Sequence, residues 1–302
     1  MKFSMTPGEW PGVIAEVAAA GHTHVPVDEA EFLIYTGGPL PDPLPTGIKA
    51  IQFVFSGVDR LLEAGDLRPG VRWANAAGVY GRPVAEIALT LLLSQLHHVK
   101  TATLAGSFRA RGLIDAAQGW LIDAPTIAII GAGGTAEALI PMLRPFGVTV
   151  VAVNRSGRKV TGADETFAQA DASHVWAEAD AFVLAAPLTE ETVGMVDAAV
   201  LARMQSHAVI VNVGRGELIV TEDLVAALQS EQIAGAALDV TDPEPLPEDH
   251  PLWRLPNCTI TPHIAATGRM AQRMIAPQII ANMAALAAGE RMPTEVDITR
   301  GY

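Results

Sequence analysis

The hydrophobic positions of this sequence fall into short, nearly continuous apolar runs separated by longer mixed stretches. Such runs are typical of strands buried on both faces of a parallel sheet. We predict strands at the runs Phe32–Tyr35, Ala50–Val54, Ile127–Ile130, Val148–Val153, Ala181–Leu184, Val209–Val213, Ala234–Leu238 and Thr259–Ile260. Helix-like segments lie between these runs, and the alternation of strand and helix predicts an α/β doubly wound fold.

Three segments carry a helical pattern. Glu222–Gln229 is preceded by Thr221, a favourable N-cap residue. Pro83–Lys100 is apolar almost all round, which predicts burial in a core, between domains or at a subunit contact. Gly268–Ala288 is a second long helical pattern, and it follows the last predicted strand.

Length and composition narrow the choice of protein class. The chain has 302 residues, which suggests about two domains. The formal net charge of −13 gives an acidic surface that repels nucleic-acid phosphates and anionic lipid, so we expect neither as a partner. Cys258 is the single cysteine, so no internal disulfide forms. With no apolar run long enough to span a membrane, we expect a cytoplasmic protein, and we expect no bound metal.

A glycine-rich turn follows the predicted strand that ends at Ile130. The turn reads Gly131-Ala-Gly133-Gly134-Thr135-Ala136. Gly131 permits the turn, Gly133 lets a pyrophosphate approach the backbone, and the small Ala136 lets helix and strand pack closely. The alternative is a glycine turn without a ligand, but the strands on both sides favour a dinucleotide site. Pro141 predicts a kink or a short helix after the turn.

The residues after the next strand bear on the choice of cofactor. In NAD-binding versions of the motif an acidic residue about 20 positions beyond the turn binds the adenosine ribose. Here that position is Asn154, and Arg155, Ser156, Arg158 and Lys159 follow. A solvated charged loop is the alternative, but the upstream glycine turn favours a site for a 2′-phosphate. We therefore predict NADP(H) as the preferred cofactor, with NAD(H) possible.

Three residues of complementary chemistry come after later strands. Arg215 is flanked by glycines, Glu244 by prolines, and His263 follows a Thr-Pro pair. Taken singly, such residues are most often structural or surface groups. Together they supply what reduction of a 2-keto acid requires. The guanidinium can bind a carboxylate, and the imidazole can protonate the developing alkoxide while a carboxylate orients its ring.

The motifs resemble those of the D-isomer-specific 2-hydroxyacid dehydrogenases of glyoxylate/hydroxypyruvate reductase type. The resemblance is carried by Gly131-x-Gly133-x-x-Ala136, Pro187-Leu-Thr-Glu-Glu-Thr192, Asn212-Val-Gly-Arg215-Gly216, Leu238-Asp239-Val, Glu244-Pro-Leu and Thr261-Pro-His263-Ile-Ala265. It implies two doubly wound Rossmann-like domains separated by a cleft, with the cofactor domain inserted in the substrate domain. The substrate domain would comprise residues 1–99 and 268–302, and the dinucleotide-binding domain residues 100–267.

The resemblance also implies roles for single residues. Arg215 would bind substrate, and His263 paired with Glu244 would be the acid/base. The substrate carboxylate would be held by backbone groups of Ser56, Gly57 and Val58. Asp239 would bind the nicotinamide carboxamide. The remaining cofactor-binding positions would be Gly131, Gly133, Gly134, Thr135, Ala136, Asn154, Arg155, Ser156, Arg158, Pro187, Thr192, Val213 and Ala265.

These features predict an oxidoreductase that transfers hydride between NADPH or NADH and a small 2-keto acid. We also predict a homodimer, built largely on Pro83–Lys100 and the segment to Trp120. One alternative is a cofactor-sensing, corepressor-like binding protein. Another is a different oxidation on the same scaffold, of formate or a phosphonate, although formate dehydrogenases of this superfamily pair Gln rather than Glu with the histidine. Candidate walls of the substrate pocket are Tyr35, Phe55, Tyr80 and Trp253.

Overall fold

The computed structural model describes residues 1–67, 70–123 and 125–298. Its strands are β1 (Lys2–Thr6), β2 (Thr23–His24), β3 (Phe32–Tyr35), β4 (Ala50–Phe53), β5 (Arg72–Ala74), β6 (Thr126–Ile130), β7 (Thr149–Asn154), β8 (Glu165–Ala168), β9 (Ala181–Leu184), β10 (Val209–Asn212), β11 (Gly235–Leu238) and β12 (Cys258–Ile260). Its helices are α1 (Pro11–Ala19), α2 (Asp59–Glu63), α3 (Gly81–Leu96), α4 (Val99–Ala105), α5 (Arg111–Ala117), α6 (Gly134–Leu143), α7 (Val175–Glu178), α8 (Ala198–Leu201), α9 (Thr221–Gln229), α10 (Pro251–Arg254), α11 (Gly268–Met274) and α12 (Ala276–Ala287).

The chain divides into two compact units, and the first is built from two separate stretches of sequence. It contains residues 1–80 and the described residues from 266 onward, while residues 81–265 form the second unit. The second unit is therefore an insertion in the first, which confirms the predicted architecture. The observed borders, 80/81 and 265/266, differ from the predicted borders 99/100 and 267/268.

Five parallel strands form the sheet of the first unit, in the order β2-β1-β3-β4-β5. The chain starts inside this sheet and winds outward in both directions, as in other doubly wound folds. The C-terminal segment then returns to the edge strand β5. Ala74 forms an antiparallel bridge with Glu295, and the Val296 N–H donates to the Trp73 carbonyl over 2.8 Å. The two stretches of the first unit thus share one sheet.

Seven parallel strands form the second sheet, in the order β12-β11-β10-β9-β6-β7-β8. The chain winds from β6 to one side and from β9 to the other, so the direction of winding reverses between these two strands. Ligands of open parallel sheets bind outside the carboxyl ends of the strands at such a reversal. Ile127, Val183 and Val211 have no exposed surface, because apolar clusters cover both faces of the sheet.

The long apolar helix α3 belongs to the core of the second unit. Ala85, Ala88 and Leu92 are fully buried and lie in the cluster that also contains the apolar face of α6. Gly81 allows this approach, because a Cβ there would lie 2.6 Å from the Gly134 carbonyl oxygen. The apolar face of α3 is therefore used inside the second unit. The helix therefore lies in the second unit and not in the substrate domain, where the predicted border at 99/100 placed it. The subunit contact predicted on Pro83–Lys100 stays a prediction.

Both long helical patterns are interrupted. Pro83–Lys100 was predicted as one helix, but α3 ends at Leu96 and α4 begins after His98, whose φ of 49° breaks the helix. The Gly268–Ala288 pattern is likewise divided into α11 and α12, which meet at Ile275. Apolar periodicity continues through each break, so it does not reveal them.

Two local predictions concern helix ends. Thr221 is not the N-cap of α9 but its first residue. Its hydroxyl donates instead to the Asp242 carbonyl over 2.6 Å, so it ties the helix to the segment after β11. Helix α6 continues two residues past Pro141 to Leu143 and then tightens into a 3-10 turn, in agreement with the short helix expected at that proline.

The segment 99–122, which we call the apolar arm, leaves large hydrophobic side chains in solvent. Phe108 is 97% exposed, and Leu104, Leu113 and Ile122 are 70%, 76% and 72% exposed. Monomeric proteins seldom leave so many large apolar groups exposed in one stretch. No helix among the described residues is long and apolar enough to cross a membrane.

Candidate active site

A tight glycine turn joins β6 to α6 where the winding of the sheet reverses. Gly131 has a φ of +86°, and a Cβ there would lie 2.3 Å from the backbone of Ala186, just after β9. Only glycine tolerates both conditions. The N–H groups of Gly131 and Ala132 donate to the Val153 carbonyl of β7 over 2.9 and 2.8 Å. The turn is therefore held by strands on both sides of it.

The first turn of α6 carries backbone N–H groups that have no carbonyl partner within the helix. These are the N–H groups of Gly134, Thr135 and Ala136. A Cβ on Gly133 would lie 4.0 Å from its nearest non-adjacent neighbour, the Gly131 carbonyl oxygen, so among the described residues the space beside it is open. Ala136 is fully buried, as expected of a small residue at a helix–strand contact. Unpaired N–H groups at a helix start next to an open glycine surface fit a pyrophosphate.

The loop after β7 is folded by the side chain of Asn154. Its Oδ1 accepts from the N–H groups of Ser156 and Arg158 over 3.2 and 3.0 Å. Its Nδ2 donates to the Arg158 carbonyl over 2.6 Å. Since β7 lies beside β6, the loop starts next to the glycine turn. It presents two guanidinium groups and the Ser156 hydroxyl on an exposed surface.

Each of the two arginines of this loop lies at long range from an acidic residue. Arg155 Nε lies 3.8 Å from Glu191 Oε2, and its side chain is 55% exposed. Arg158 Nη2 lies 3.7 Å from Glu137 Oε1, and its side chain is 63% exposed. Strong bonds between charged groups are nearer 2.7–2.9 Å, and exposed pairs contribute little. Breaking either of these two long ion pairs therefore costs little when a side chain turns towards a phosphate.

The loop after β9 is closed by Thr192, which is 5% exposed. Its hydroxyl donates to the Pro187 carbonyl over 2.7 Å and accepts from the Thr189 N–H over 2.8 Å. Just after β10, the Val213 N–H donates to the Leu184 carbonyl over 3.0 Å. Pro187, Thr192 and Val213, which were predicted to line the cofactor, thus follow the neighbouring strands β9 and β10. They lie on the same edge of the sheet as the glycine turn.

Arg215 lies just beyond β10 in a turn organised by Asn212. Asn212 is 1% exposed; its Nδ2 donates to the Arg215 carbonyl over 2.7 Å and its Oδ1 accepts from the Gly214 N–H over 3.0 Å. Gly216 lies against the segment after β11, because a Cβ there would fall 2.0 Å from the Thr241 backbone. The backbone of Arg215 is therefore held on both sides.

His263 and Glu244 follow the adjacent strands β12 and β11. His263 Nδ1 and Glu244 Oε1 are 2.8 Å apart, and the side chains are 47% and 31% exposed. His263 has a φ of 51°, an uncommon backbone conformation for a side chain of this size. Its N–H donates to the Asp239 carbonyl over 2.8 Å. Because the carboxylate engages Nδ1, the other ring nitrogen, Nε2, is the one left for a substrate.

Asp239 is 2% exposed and holds the loop that carries His263. Its Oδ1 accepts from the Thr261 hydroxyl over 2.6 Å and from the Ile264 N–H over 2.9 Å. Its Oδ2 accepts from the Ala265 N–H over 2.9 Å. A carboxylate oxygen has two lone pairs, so Oδ2 keeps the capacity to accept from a carboxamide, the role expected from the family resemblance.

The Ser56–Val58 turn follows β4 in the first unit. Within the ranges that the structure describes, its three N–H groups donate to no other protein group. The turn is instead tied through other atoms: Asn75 Nδ2 donates to the Ser56 carbonyl over 2.8 Å, and the Ser56 hydroxyl donates to the Ala76 carbonyl over 3.1 Å. Successive unpaired N–H groups are suited to bind an anion.

The aromatic residues named as candidate pocket walls have different surroundings. Tyr35 and Tyr80 are buried, and their hydroxyls donate to backbone carbonyls. Burial raises the pKa of both hydroxyls, so both remain neutral near pH 7. Phe55 stacks within the aromatic core of the first unit. Trp253, in the second unit, donates from Nε1 to the Pro247 carbonyl over 3.0 Å.

Two residues that organise the site, Asn212 and Thr261, are absent from the site residues predicted from sequence. Asn212 ends an apolar run, and a polar residue at the end of a buried strand is a signal of a strand-end function. Thr261 gives no such signal, because its partner Asp239 lies 22 positions away in the sequence and on another strand. Its role follows only from the neighbouring positions of β11 and β12.

Comparisons with known proteins agree with this arrangement. Residues 88–265 match the family model described as D-isomer specific 2-hydroxyacid dehydrogenase, NAD binding domain. A protein of Corynebacterium melassecola, named as an uncharacterized protein in the proB 3′ region, is 48% identical over 305 aligned positions and covers 100% of both chains. A glyoxylate reductase/hydroxypyruvate reductase of Mus musculus is 31% identical over 264 positions, 86% of this chain and 80% of its own length.

Solved structures give the same result. A D-isomer specific 2-hydroxyacid dehydrogenase of Xanthobacter autotrophicus Py2, solved in complex with NADPH and MES, superposes with a TM-score of 0.85. Its sequence is 25% identical, and the match covers 100% of this chain and 99% of that one. Fold, strand-end motifs and sequence matches all lead to one assignment. The chain belongs to the D-isomer specific 2-hydroxyacid dehydrogenase family of NAD(P)-dependent oxidoreductases.

Proposed function

We propose that this protein reduces a small 2-keto acid to the D-2-hydroxy acid, with NADPH as the preferred reductant and NADH as a second one. The second unit binds the cofactor and the first unit contributes to binding the substrate. The observation that carries the proposal is the 2.8 Å contact between His263 and Glu244. It lies at the edge of the sheet that also carries the glycine turn and Arg215.

His263 is the acid/base in this proposal. A bound nicotinamide supplies the hydride that reaches the carbonyl carbon. As negative charge develops on the carbonyl oxygen, His263 Nε2 donates a proton to it, and in the reverse direction the same nitrogen accepts the proton. Glu244 holds the ring by Nδ1 and stabilises the imidazolium.

The substrate carboxylate requires a local positive site, because the chain carries a formal net charge of −13. Arg215 provides it: its planar guanidinium can form two parallel bonds to a carboxylate. The N–H groups of Ser56, Gly57 and Val58 supply further donors from the first unit. A carboxylate next to a carbonyl is common to all 2-keto acids, so these contacts define the substrate class.

The preference for NADPH rests on the loop after β7. Asn154 replaces the acidic residue that would repel a 2′-phosphate, and its own bonds order the loop. Arg155 and Arg158 can pair with the phosphate, and the Ser156 hydroxyl can donate to it. The Xanthobacter relative was solved with NADPH, which supports the same choice.

A panel of 2-keto acids tests the proposed function. Glyoxylate, hydroxypyruvate, pyruvate and longer 2-keto acids are each mixed with the protein and NADPH or NADH, and the loss of reduced cofactor is followed by absorbance. We expect turnover with at least one small keto acid and a product of D configuration by chiral chromatography. Absence of turnover with every acid and both cofactors would contradict the proposal.

We also propose that the protein is a homodimer held by the apolar arm. Burying Phe108 and Leu113, which are 97% and 76% exposed, against a second copy would remove much apolar surface from water.

A further inference from the structure

We infer that a buried chain of hydrogen bonds in the first unit positions the Ser56–Val58 turn for the substrate carboxylate. The chain consists of Gln52, Asn75, Asn282 and Thr294, and Asn75 and Thr294 are its positioning residues. The inference rests on the proposed function, because that function makes the turn a carboxylate site.

The amide side chains of this hydrogen-bond chain are buried inside the first unit. Gln52 and Asn282 have no exposed surface, and Asn75 is 5% exposed. A buried amide without partners costs free energy. Apolar side chains would fill the same space without needing partners. Each of these amides is instead hydrogen-bonded: the side chains of Gln52 and Asn282 bond to each other, and that of Asn75 bonds to Ser56 and Ala77.

The hydrogen bond from Asn75 to the Ser56 carbonyl sets the direction in which the Gly57 N–H points. Asn75 Nδ2 donates to the Ser56 carbonyl over 2.8 Å. In a planar trans peptide the carbonyl and the following N–H point in opposite directions. Because the Ser56 carbonyl faces Asn75, the Gly57 N–H faces away from it. Asn75 Oδ1 also accepts from the Ala77 N–H over 3.1 Å, so the Asn75 side chain cannot rotate freely.

Asn75 is held in turn by the C-terminal segment. The Thr294 hydroxyl donates to the Asn75 carbonyl over 2.7 Å, and the same carbonyl accepts from Gln52 Nε2 over 2.8 Å. The Asn75 N–H donates to the Thr294 carbonyl over 3.0 Å. Both lone pairs of the Asn75 carbonyl are therefore used.

The last member of this hydrogen-bond chain, Asn282, lies on α12. Asn282 Nδ2 donates to Thr294 Oγ1 over 2.7 Å and also to Gln52 Oε1. Asn282 Oδ1 accepts from the Thr294 N–H over 3.3 Å. The C-terminal stretch, which lies outside the matched family domain at 88–265, thus reaches the Ser56 turn through Asn75. It takes part in substrate binding through Asn75.

The test uses Thr294→Val, which removes the hydroxyl but keeps the backbone bonds and nearly the same volume. We expect the KM for the best keto acid to rise about tenfold, as for the loss of one positioning bond. The Kd for NADPH, measured by its fluorescence, should not change, and kcat should change by less than about threefold. Thr294→Ser keeps the hydroxyl and should restore the parental KM. Asn75→Ala should raise KM at least as much.

Glu295→Gln is the matched control. Glu295 follows Thr294 in the sequence and accepts a hydrogen bond from Arg72 over 3.0 Å. Loss of its carboxylate weakens the C-terminal segment but removes no hydrogen bond among Gln52, Asn75, Asn282 and Thr294. We expect a lower Tm and an unchanged KM. Amide exchange at Ala77, whose N–H bonds to Asn75, reports the order of the turn without any turnover and should accelerate in Thr294→Val only.

The outcomes separate the two proposals. A parent protein that reduces no keto acid overturns the proposed function and, with it, the carboxylate role of the turn. An active parent with unchanged KM and unchanged Ala77 exchange in Thr294→Val overturns the inference alone. So does a KM that rises equally in Glu295→Gln and Thr294→Val, because the effect would then be one of stability.

Discussion

At the scale of single residues, two histidine–carboxylate pairs of similar geometry have different positions in the same sheet. His263 is 2.8 Å from Glu244, and His207 is 2.7 Å from Asp180. Asp180 and His207 precede their strands β9 and β10, whereas Glu244 and His263 follow β11 and β12. Because ligands of open parallel sheets bind at the carboxyl ends of strands, only the second pair is placed for chemistry.

His263→Ala therefore removes the proton donor while His207→Ala removes a surface group. General acid–base groups typically contribute ~10²–10⁴-fold, so we expect kcat of His263→Ala to fall at least 100-fold, with the NADPH Kd nearly unchanged. His207→Ala should keep the parental kcat. Steady-state turnover and fluorescence titration of both variants provide the measurement, and near-parental turnover in His263→Ala would refute the assignment.

Arg155 is expected to favour NADPH over NADH. Its side chain is 55% exposed, so one contact to a 2′-phosphate should contribute only about 1 kcal/mol, which corresponds to roughly five- to tenfold in kcat/KM. We expect the parent to prefer NADPH and Arg155→Ala to lose about that factor for NADPH and little for NADH. Raising the salt concentration should narrow the difference, because exposed charges are screened.

Lys159→Ala is the control for this effect, since it removes an equal charge from the same exposed loop. Its ratio of kcat/KM for NADPH and NADH should equal that of the parent. A parental preference for NADH, or equal losses in both variants, would show that the loop acts only through its total charge.

At the scale of elements, the sequence predicted every inner strand except β1 and missed three of the four edge strands. β3, β9 and β10 are buried on both faces and appear as apolar runs. β2, β5 and β8 lie at sheet edges, are two to four residues long and are partly exposed. The run of β1 is less clear than those of the other inner strands, because the buried Ser4 interrupts its apolar residues. Edge strands need little apolar surface, so their pattern resembles that of loops.

Part of the site was predictable from the same apolar runs. Glycine turns and charged residues at the ends of apolar runs stand out, which is how the glycine turn, Arg215 and His263 were found. The residues that hold them do not stand out. Asn282 acts on Asn75 through Thr294, and Thr294 lies 219 residues after Asn75. Such a contact depends on the insertion of one unit into the other, which no local pattern records.

The pairing of β5 with the C-terminal segment predicts a dependence of stability on pH. Arg72 lowers the pKa of Glu295 through its hydrogen bond, and the Met292 N–H acts in the same direction. A lowered folded pKa gives stability that is complete above the unfolded value, about 4.3, and is lost as pH falls through the folded value. Glu295→Gln should therefore lower the free energy of unfolding by about 2 kcal/mol at pH 7, and by progressively less below about pH 4.

Urea unfolding at pH 7 and at low pH measures this difference. Glu16→Gln, on the exposed face of α1, is a control that should have little effect at either pH. A gap between Glu295→Gln and the parent that stays constant through acid pH would contradict the ionic origin of the bond.

At the scale of the whole molecule, charge and apolar surface oppose each other. A formal net charge of −13 makes two copies repel. The apolar arm offers the opposite force, with Leu104, Phe108, Leu113 and Ile122 each at least 70% exposed. Burial of apolar side chains releases about 25 cal/mol per Å², and screening by salt weakens the repulsion. We therefore expect a dimer that becomes tighter as salt rises.

Light scattering at low micromolar concentration should give twice the chain mass of 31.7 kDa. Phe108→Asp places a charge where the second copy would bury an aromatic ring, so this variant should have the mass of one chain. Because Phe108 is 97% exposed within the chain, the substitution should leave the fold of the single chain intact. Ile298→Asp changes an apolar residue that is 41% exposed outside the arm and should remain dimeric. A parental mass of one chain, or dissociation of both variants alike, would contradict an interface on the arm.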